Sequence, residues 1–307
     1  MLVEPDSLFR ALRLAPGTTA GFEPLSDAPF APERVALRLP GEPARLVLLR
    51  SPADSEAARN HLAVMEALTN ARFPFAPRLL AIIDEVAVEE WIEGTTALAI
   101  VPPPGACEAA MDAFAAFHSL PLREGLNWGA SPADLLPDGA VPLHRLGFAA
   151  HEREPAAGPL AAGRAAVLVT PFGFAHAAAT AANVLLARDR AVLVNFERAG
   201  YGSHYMDVAA FLLTSGLEAP ARSALAAHYA RRRGSDPFLV IDGIDLAGIL
   251  WGLDHLLQFP RRLIEALGDD LASDALRTAA ARVERGIRIP AGGHVAATAI
   301  RAALWPE

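Results

Sequence analysis

The side chains with the greatest chemical potential lie in one stretch near the middle of the chain. His176 and Asn183 stand seven residues apart, and Asn183 leads into an apolar run. A second apolar run returns to Asn195, and Asp207 follows twelve residues later. An imidazole can act as a base, and amide or carboxylate oxygens can bind a hard cation. The pattern is typical of a catalytic loop followed by a hairpin, although Ala178 stands where such a loop needs a carboxylate.

The charged residues exclude several other chemistries. All 27 basic residues are arginines, because the chain contains no lysine, and 35 acidic residues give a net charge of −8. Without lysine there is no Schiff-base chemistry and no Gly-x-x-x-x-Gly-Lys phosphate loop. The single cysteine, Cys107, excludes a disulfide framework and a cysteine zinc site within one chain. The acidic balance argues against a nucleic-acid partner.

Length and hydropathy favour a globular protein of one large two-lobed domain or two domains, since 307 residues with 52% hydrophobic content can bury a sizeable core. The most apolar stretch, 238–259, carries Asp242, Asp245 and Asp254, so we expect no membrane span. The first residues lack the basic region and apolar core of a signal peptide. These features together predict a cytoplasmic protein without a membrane partner.

The elements that would carry the polar groups begin with a small sheet. Short runs with strand character, separated by turn residues, lie at 19–25, 34–39, 45–50, 79–83 and 86–92. A helix is predicted over 54–70, because Leu62, Met65 and Leu68 share one face and Asp54 or Ser55 can cap its start. The first ~95 residues therefore predict a sheet with one helix packed on it.

The rest of the chain is mainly helical in pattern. Helices are predicted at about 106–119, 207–215, 219–233, 242–258, 260–267 and 271–287. The runs 184–186 and 191–194 predict a hairpin around Arg188-Asp189-Arg190, and 167–172 has strand character. The segment 121–163 is rich in Pro, Gly and Ala, and 158–163 is interpreted as a loop.

In order and spacing, four motifs resemble the aminoglycoside phosphotransferase and choline kinase family. They lie at 88–94, 113–118, 176–186 and 191–212, and the resemblance extends from about residue 25 to 285. It implies an α+β, two-lobed protein-kinase-like fold. A small N-terminal antiparallel sheet lobe with one helix would occupy 1–93, and a larger mainly helical lobe 94–307, with a hinge at about 88–96.

The resemblance also shows what the central loop has lost. The family's loop reads His-Gly-Asp-x-x-x-x-Asn, so His176 and Asn183 match while Ala178 replaces the catalytic Asp. Asn195 replaces the second metal-binding Asp. No catalytic residue is then intact, His176 and Asp207 remain as braces of the loop, and Asn183 with Asn195 would form a weak or lost metal site. The alternatives are that Asn183 caps its own turn and that Asp207 is a helix N-cap.

The phosphate-binding parts are altered as well. The family's phosphate-anchoring Lys corresponds best to Arg50, whose forked head group makes the exchange non-conservative. Its usual Glu partner has no clear counterpart, since Glu56, Asn60 and Glu66 are all candidates. The loop that should wrap phosphates, 26–32, contains two prolines and no glycine, which prevents close backbone approach.

Two further pairs complete the residues that the resemblance implies. Glu90 and Trp91, with Arg50, would form the nucleotide side of the cleft, although surface and core positions are the ordinary alternatives. Asp254 and His255, on a late helix, would face the acceptor, although such residues are more often surface or satisfied core groups.

Three functions remain open at this stage. The leading hypothesis is a pseudokinase that binds a small-molecule ligand or a protein partner without transferring phosphate. The alternative is an active ATP-dependent small-molecule O-phosphotransferase in which Arg50 serves the phosphates. A third is lyase or transfer chemistry in the same cleft, for which the sequence offers no nucleophile–base pair. No cofactor is assigned; ATP and Mg²⁺ are the candidates that the resemblance supplies, and the replaced residues argue against both.

Overall fold

A five-stranded antiparallel sheet forms the N-terminal part of the protein. The computed structural model describes residues 2–25, 33–40, 42–50, 55–99, 102–136, 143–148, 150–188, 190–265 and 270–306. The strands are β1 (Thr19–Pro24), β2 (Glu33–Arg38), β3 (Arg45–Arg50), β4 (Leu79–Ile83) and β5 (Val86–Glu90), in the spatial order β1-β2-β3-β5-β4. Helix α1 spans Pro5–Ala11, and helix α2, Ser55–Asn70, connects β3 to β4.

Burial alternates along β2 and β3, so every second side chain lies on the buried face of the sheet. Val35 and Leu37 on β2 and Val47 and Leu49 on β3 are fully buried, and they cluster with Leu8 of α1. Helix α1 was missed by the sequence prediction, because its seven residues are too short for a periodic signal. Met65 and Leu68 of α2 instead join the core of the helical lobe. The sheet therefore has its own small core, and α2 bridges the two lobes.

The second lobe is mainly helical, which confirms the predicted α+β kinase-like architecture. Its helices are α3 (Pro104–Phe117), α4 (Pro132–Leu135), α5 (Ala150–Val167), α6 (His204–Thr214), α7 (Ala219–Arg232), α8 (Pro237–Glu265), α9 (Asp270–Arg288) and α10 (Val295–Leu304). Its short strands are β6 (Thr95–Thr96), β7 (Phe172–Ala175), β8 (Val184–Leu186), β9 (Ala191–Leu193) and β10 (Gly200–Ser203). The predicted hairpin is present as β8 and β9, whereas the lobe boundary at 93/94 stays a prediction.

Two segments of this lobe differ from their sequence predictions. Residues 158–163 lie inside α5, although Pro155 and Pro159 interrupt the helix pattern, and the strand begins only at Phe172. A Cβ atom on Gly163 would lie 3.1 Å from the side chain of Ile300, so the glycine lets α5 pack closely against α10. Tertiary packing therefore outweighs local propensity here. The break predicted between helices 242–258 and 260–267 is also wrong, since one helix, α8, runs through Pro260 to Glu265.

None of the helices in the described part of the chain is long and apolar enough to cross a membrane.

Gly125 fixes how the backbone before Leu126 packs against Ala199. Gly125 has φ +101°, and a Cβ atom there would lie 2.1 Å from the carbonyl oxygen of Ala199. Next to it, the Leu126 N–H donates to that same carbonyl at 3.1 Å. Only glycine combines this backbone conformation with such a close approach.

Replacing Gly125 should destabilise the protein far more than replacing Gly129, which serves as the matched control. Gly129 also has positive φ, +111°, but no atom lies within 4 Å of a Cβ built there. We expect Gly125→Ala to lower the free energy of unfolding by more than about 3 kcal/mol, and Gly129→Ala by about 1–2 kcal/mol from backbone strain alone. Urea unfolding of the two variants measures both values. Equal losses would show that the contact with Ala199 does not constrain the chain.

Candidate functional site

The central loop is held by the carboxylate of Asp207, which lies in the first turn of α6. Its Oδ2 accepts the backbone N–H of His176 at 2.6 Å, and its Oδ1 accepts that of Ala177 at 2.9 Å. The Asp207 side chain is buried, and Ser203, whose hydroxyl accepts the Met206 N–H, is the N-cap of α6. The N-cap alternative for Asp207 is therefore wrong, because the carboxylate points at the loop and not at its own helix.

His118 completes the shell around this carboxylate. Its Nε2 lies 3.1 Å from Asp207 Oδ2, and its Nδ1 lies 2.9 Å from the hydroxyl of Tyr229. A neutral ring that donates to the carboxylate must accept at its other nitrogen, so the Tyr229 hydroxyl donates to Nδ1. The arrangement ties α3, α6 and α7 to the loop. The motif at 113–118 suggested the helix, but nothing in the sequence identified this hydrogen bond.

His176 acts as a second fixed point of the loop. Its Nε2 donates to the carbonyl of Val194 at 2.9 Å, and its ring packs against both Phe117 and Phe196. Burial lowers the pKa of the imidazole, so the ring is neutral at pH 7. Its other nitrogen, Nδ1, is buried without an acceptor or donor among the residues that the structure describes. The ring supports the loop at Val194 and is enclosed by protein, which does not suit a base that serves a substrate.

Ala178 and Asn183 close the loop on itself. The Asn183 side-chain nitrogen donates to the carbonyl of Ala178 at 2.8 Å, and the side chain of Ala178 contributes only a methyl group. The neighbouring Ala177 has φ +55°, a left-handed conformation that costs a non-glycine residue about 1 kcal/mol or more. The bonds from Asp207 maintain this strained conformation. The loop thus retains a defined shape without an acid or base at its centre.

Asn195 and Asn183 would have to hold any metal ion. Asn195 is also left-handed, with φ +67°, and its side-chain nitrogen lies 3.5 Å from Asn183 Oδ1, the long limit of a hydrogen bond. Its own Oδ1 is buried and has no partner within the described chain. No group of three or more His, Cys, Asp or Glu in those residues could hold a metal ion. Two neutral amides do not fit Mg²⁺, which prefers carboxylate oxygen.

Arg50 is held by a buried carboxylate, that of Glu89 on β5. Its Nε donates to Glu89 Oε1 at 3.1 Å, and the Glu89 residue is only 1% exposed. His61 on α2 donates from Nε2 to the same oxygen at 2.8 Å. Burial alone would raise the pKa of Glu89, but the bonds from His61 and the charge of Arg50 outweigh it and lower the pKa. The carboxylate that pairs with Arg50 therefore comes from β5, and it was not among the candidates Glu56, Asn60 and Glu66.

Asn60 and His61 attach α2 to the segment that follows Asn195. The Asn60 side-chain nitrogen lies 3.2, 2.9 and 3.0 Å from three backbone carbonyls, which belong to Phe196, Glu197 and Ala199. His61 Nδ1 accepts the N–H of Phe196 at 3.2 Å. The two adjacent side chains therefore hold the sheet lobe against the cleft by polar contacts. These side chains lie about 135 residues from their partners along the chain, so no local sequence pattern indicates the contacts.

Glu90 and Trp91 have contacts outside this polar network. The Glu90 carboxylate accepts from Arg78 Nε at 3.1 Å, and the guanidinium of Arg34 lies 5.4 Å from the centre of the Trp91 ring. The structure therefore does not bring these two residues together with Arg50. Their role at a nucleotide stays a prediction. The predicted phosphate loop, 26–32, and the turn residue Asp189 lie outside the described residues.

A cavity of about 630 Å³ opens beside the central loop. Ala178 and Asn183 line one side, and Asp254 and His255 of α8 line another, so the structure brings the two predicted groups together. The cavity also contains residues that the sequence did not single out: Asn127, Arg198, Tyr201 and Trp251. Trp251 stacks on His255, with 4.7 Å between ring centres, and Asp254 accepts from Gln258 at 2.7 Å. The walls offer hydrogen-bonding groups, aromatic faces and two carboxylates, that of Asp207 under the loop and that of Asp254 on α8.

Comparison with known proteins settles the family. A model of the phosphotransferase enzyme family matches residues 30–242. The chain belongs to this family. The match includes the central loop and its brace Asp207, and it confirms the resemblance seen in the sequence. No curated protein sequence matches the chain.

Solved structures agree with membership of the phosphotransferase family. A choline/ethanolamine kinase family protein from Mesorhizobium loti is 20% identical, covering 96% of this chain and 98% of that one, with a TM-score of 0.56. An aminoglycoside phosphotransferase from Alicyclobacillus acidocaldarius is 16% identical, covering 99% and 96%, with a TM-score of 0.57. A choline kinase from Cryptosporidium parvum is 12% identical, covering 88% of each chain, with a TM-score of 0.57. At these identities the likeness shows the shared fold.

The contact between α2 and the cleft should be sensitive to the chemistry of one side chain. We expect Asn60→Ala to lower the free energy of unfolding by about 1–3 kcal/mol, because three buried carbonyls lose their common donor. Asn60→Asp keeps the shape but places a carboxylate oxygen against those carbonyls, so it should cost more at pH 7. Denaturant unfolding of both variants measures the losses. An Asn60→Asp protein as stable as the parent would disprove the proposed donor role.

The buried imidazoles should make the protein sensitive to acid. Burial lowers the pKa of His118 and His176, and it lowers that of His204, stacked 4.3 Å from His118, to about 3. Since the unfolded chain binds protons near pH 6.5 and the folded chain does not, stability is full above that pH and falls as the pH drops below it. The expected slope is about 1.4 kcal/mol per pH unit for each imidazole.

Unfolding measured between pH 7 and pH 5 tests this expectation. His204→Phe keeps a stacked ring but removes one titrating group, so its slope should be shallower by the share of one imidazole. Because the carboxyl groups are common to both proteins, the difference between the slopes isolates the His204 contribution. Identical slopes would contradict a neutral, buried His204.

Proposed function

We propose that this protein is a pseudokinase of the phosphotransferase family, which binds a small-molecule ligand or a protein partner in its cleft without transferring phosphate. The proposal includes a cytoplasmic location. The observation that carries it is the methyl group of Ala178 at the centre of an otherwise intact loop. Phosphoryl transfer needs a group that orients the attacking hydroxyl and accepts its proton. A general base contributes about 10²- to 10⁴-fold in rate, and a methyl group contributes none of it.

The cation requirements of phosphoryl transfer support the same proposal. Charge on the transferred phosphoryl group is normally neutralised by metal ions and by a basic side chain. Here Asn183 and Asn195 supply neutral oxygens. The Asn183 oxygen also lies within hydrogen-bonding range of the Asn195 side-chain nitrogen. The charge of Arg50 is neutralised by Glu89, which also binds His61. The charge that a phosphate would meet at this guanidinium is therefore already partly offset by a buried carboxylate.

The cleft itself supports retention of a binding role. Its cavity of about 630 Å³ lies within the range of small-molecule sites and has both aromatic and polar walls. Asp207 and His118 keep the cavity floor ordered although the loop has no acid or base. This network keeps the cleft in shape for a ligand, and it stabilises the fold as well.

One observation favours the second candidate, an active small-molecule O-phosphotransferase with relocated groups. Asp254 lines the same cavity as Ala178 and Asn183, so a carboxylate is present at the site although it comes from α8. In that function Asp254 would replace the missing base, and Arg50 would leave Glu89 to reach the phosphates. The two candidates therefore differ in nucleotide dependence and in the effect of removing Asp254.

A binding assay combined with a transfer assay separates the two functions. Binding of ATP and Mg²⁺ to the folded state would raise its thermal stability by mass action. For the pseudokinase we expect no Mg²⁺-dependent rise with ATP. We also expect no ATP-dependent phosphorylation of choline or hygromycin B, and no ATP hydrolysis. The double variant Ala178→Asp, Asn195→Asp should gain Mg²⁺-dependent ATP stabilisation, since it restores two carboxylates to the site.

The single variants serve as controls for this test. Turnover by the parent protein that is lost in Asp254→Asn, together with Mg²⁺-dependent stabilisation, would replace the pseudokinase proposal with the second candidate. Turnover that is lost in Asn183→Ala but kept in Asp254→Asn would refute both the pseudokinase and the relocated base. Stabilisation by ATP without Mg²⁺ dependence and without turnover would agree with a nucleotide-binding pseudokinase.

A further inference from the structure

A second cavity, of about 170 Å³, lies between the connection from α6 to α7 and the outer turn of α9. None of its lining residues lines the cleft cavity. Three arginines from two helices surround it, and a single carboxylate accompanies them. The residues that matter are Gly216, Glu218, Ala219, Arg222, Arg282 and Arg285.

Two of these arginines have no carboxylate partner in the described parts of the chain. Arg222 is 4% exposed, and its terminal nitrogens donate to the carbonyls of Gly286 and Ile289 at 2.7 and 2.6 Å. Its Nε is buried without an acceptor. Arg282 donates to two further carbonyls, of Leu98 and Thr214, both at 3.0 Å. Carbonyl oxygens at helix ends offset only part of a positive charge, so both guanidiniums remain electrostatically undercompensated.

The third arginine is held by an exchangeable bond. Arg285 pairs with Glu218 at 2.7 Å, but both side chains are at least 60% exposed. Such surface pairs contribute little and exchange readily. Removing Glu218 from the pair would leave three guanidiniums around one cavity. Burial lowers the pKa of Arg222 and of Arg282, while the charges of Asp245 and Glu218 raise that of Arg222.

The start of helix α7 meets the last turns of α6 and α9 here, so the backbone presents N–H groups as well as carbonyl oxygens. Helix α7, 14 residues long, begins here, and its N-cap residue Glu218 makes no side-chain capping bond. The N-terminus of a helix carries partial positive charge and offers N–H groups to anions. Gly216 has φ +72°, and a Cβ atom there would lie 2.9 Å from Arg282 Nε. The glycine therefore lets the guanidinium approach the start of α7.

We propose that this cavity binds a phosphate group, either as inorganic phosphate or as part of a phosphate monoester. Arginine suits this role because its planar head group can donate two parallel bonds to phosphate oxygens. The cavity also communicates with the cleft loop through Thr214. The Thr214 carbonyl accepts from Arg282, and its hydroxyl accepts the N–H of Ala181 at 2.8 Å. Only Thr214 would therefore separate an anion-bound Arg282 from the cleft loop.

Titration calorimetry of the full chain with inorganic phosphate, at constant ionic strength, tests the proposal. Arg285→Gln should weaken binding roughly five- to tenfold, and Glu218→Gln should strengthen it roughly threefold, since the competing carboxylate is removed. Both residues are exposed, so neither change should disturb folding. Arg288→Gln is the matched control, because it removes the same charge from the same helix at a residue outside the cavity.

The outcomes separate the proposal from a purely structural role of the arginines. Saturable phosphate binding with opposite effects of Arg285→Gln and Glu218→Gln, and no effect of Arg288→Gln, supports the site. Absence of binding, or binding that changes equally in all three variants, would overturn it. Repeating the titration with glycerol 3-phosphate distinguishes the two sources: tighter binding indicates a monoester ligand, and equal binding indicates recognition of the phosphate group alone. Neither result depends on whether the cleft transfers phosphate.

Discussion

The rest of the cleft depends on one buried carboxylate, that of Asp207. A carboxylate removed from water must have its oxygens filled by donors, and here the donors are two backbone N–H groups of the loop and the ring of His118. This requirement fixes the loop where β7 ends, including the left-handed Ala177. The bond to His118 fixes the same carboxylate to α3. The floor of the cleft therefore keeps its shape for reasons of folding, whatever the residue at 178.

The sheet lobe is attached to this floor by neutral and charged hydrogen bonds from α2 and β5. His61 lies at the centre, donating to Glu89 and accepting from the backbone of Phe196. Glu89 also binds Arg50, the side chain on β3 that the resemblance assigns to phosphate. Arg50 is therefore part of the link between the lobes. Glu89 therefore offsets part of the charge that Arg50 could bring to a phosphate.

The arginines of this lysine-free chain have different surroundings at two places. On β3, Arg50 is held by the buried acid Glu89. Beside α9, by contrast, Arg222 and Arg282 are held by carbonyls at the ends of helices, which leave much of their charge uncompensated. The same residue type is therefore neutralised at one place and available to an anion at the other. What surrounds a guanidinium decides its use.

The sequence alone determined the architecture and the substitutions at the site. Short apolar runs separated by a turn predicted β2 and β3, the hairpin of β8 and β9 followed from its turn, and the motif order indicated the family, because these signals come from residues close together along the chain. Only the tertiary structure decided that Glu89 is buried, that Asn60 holds the cleft segment and that 158–163 is helical. Those features depend on contacts between residues far apart in sequence, such as Gly163 with Ile300. Local periodicity reports which face of an element is buried, and it carries no information about which distant group will lie against that face.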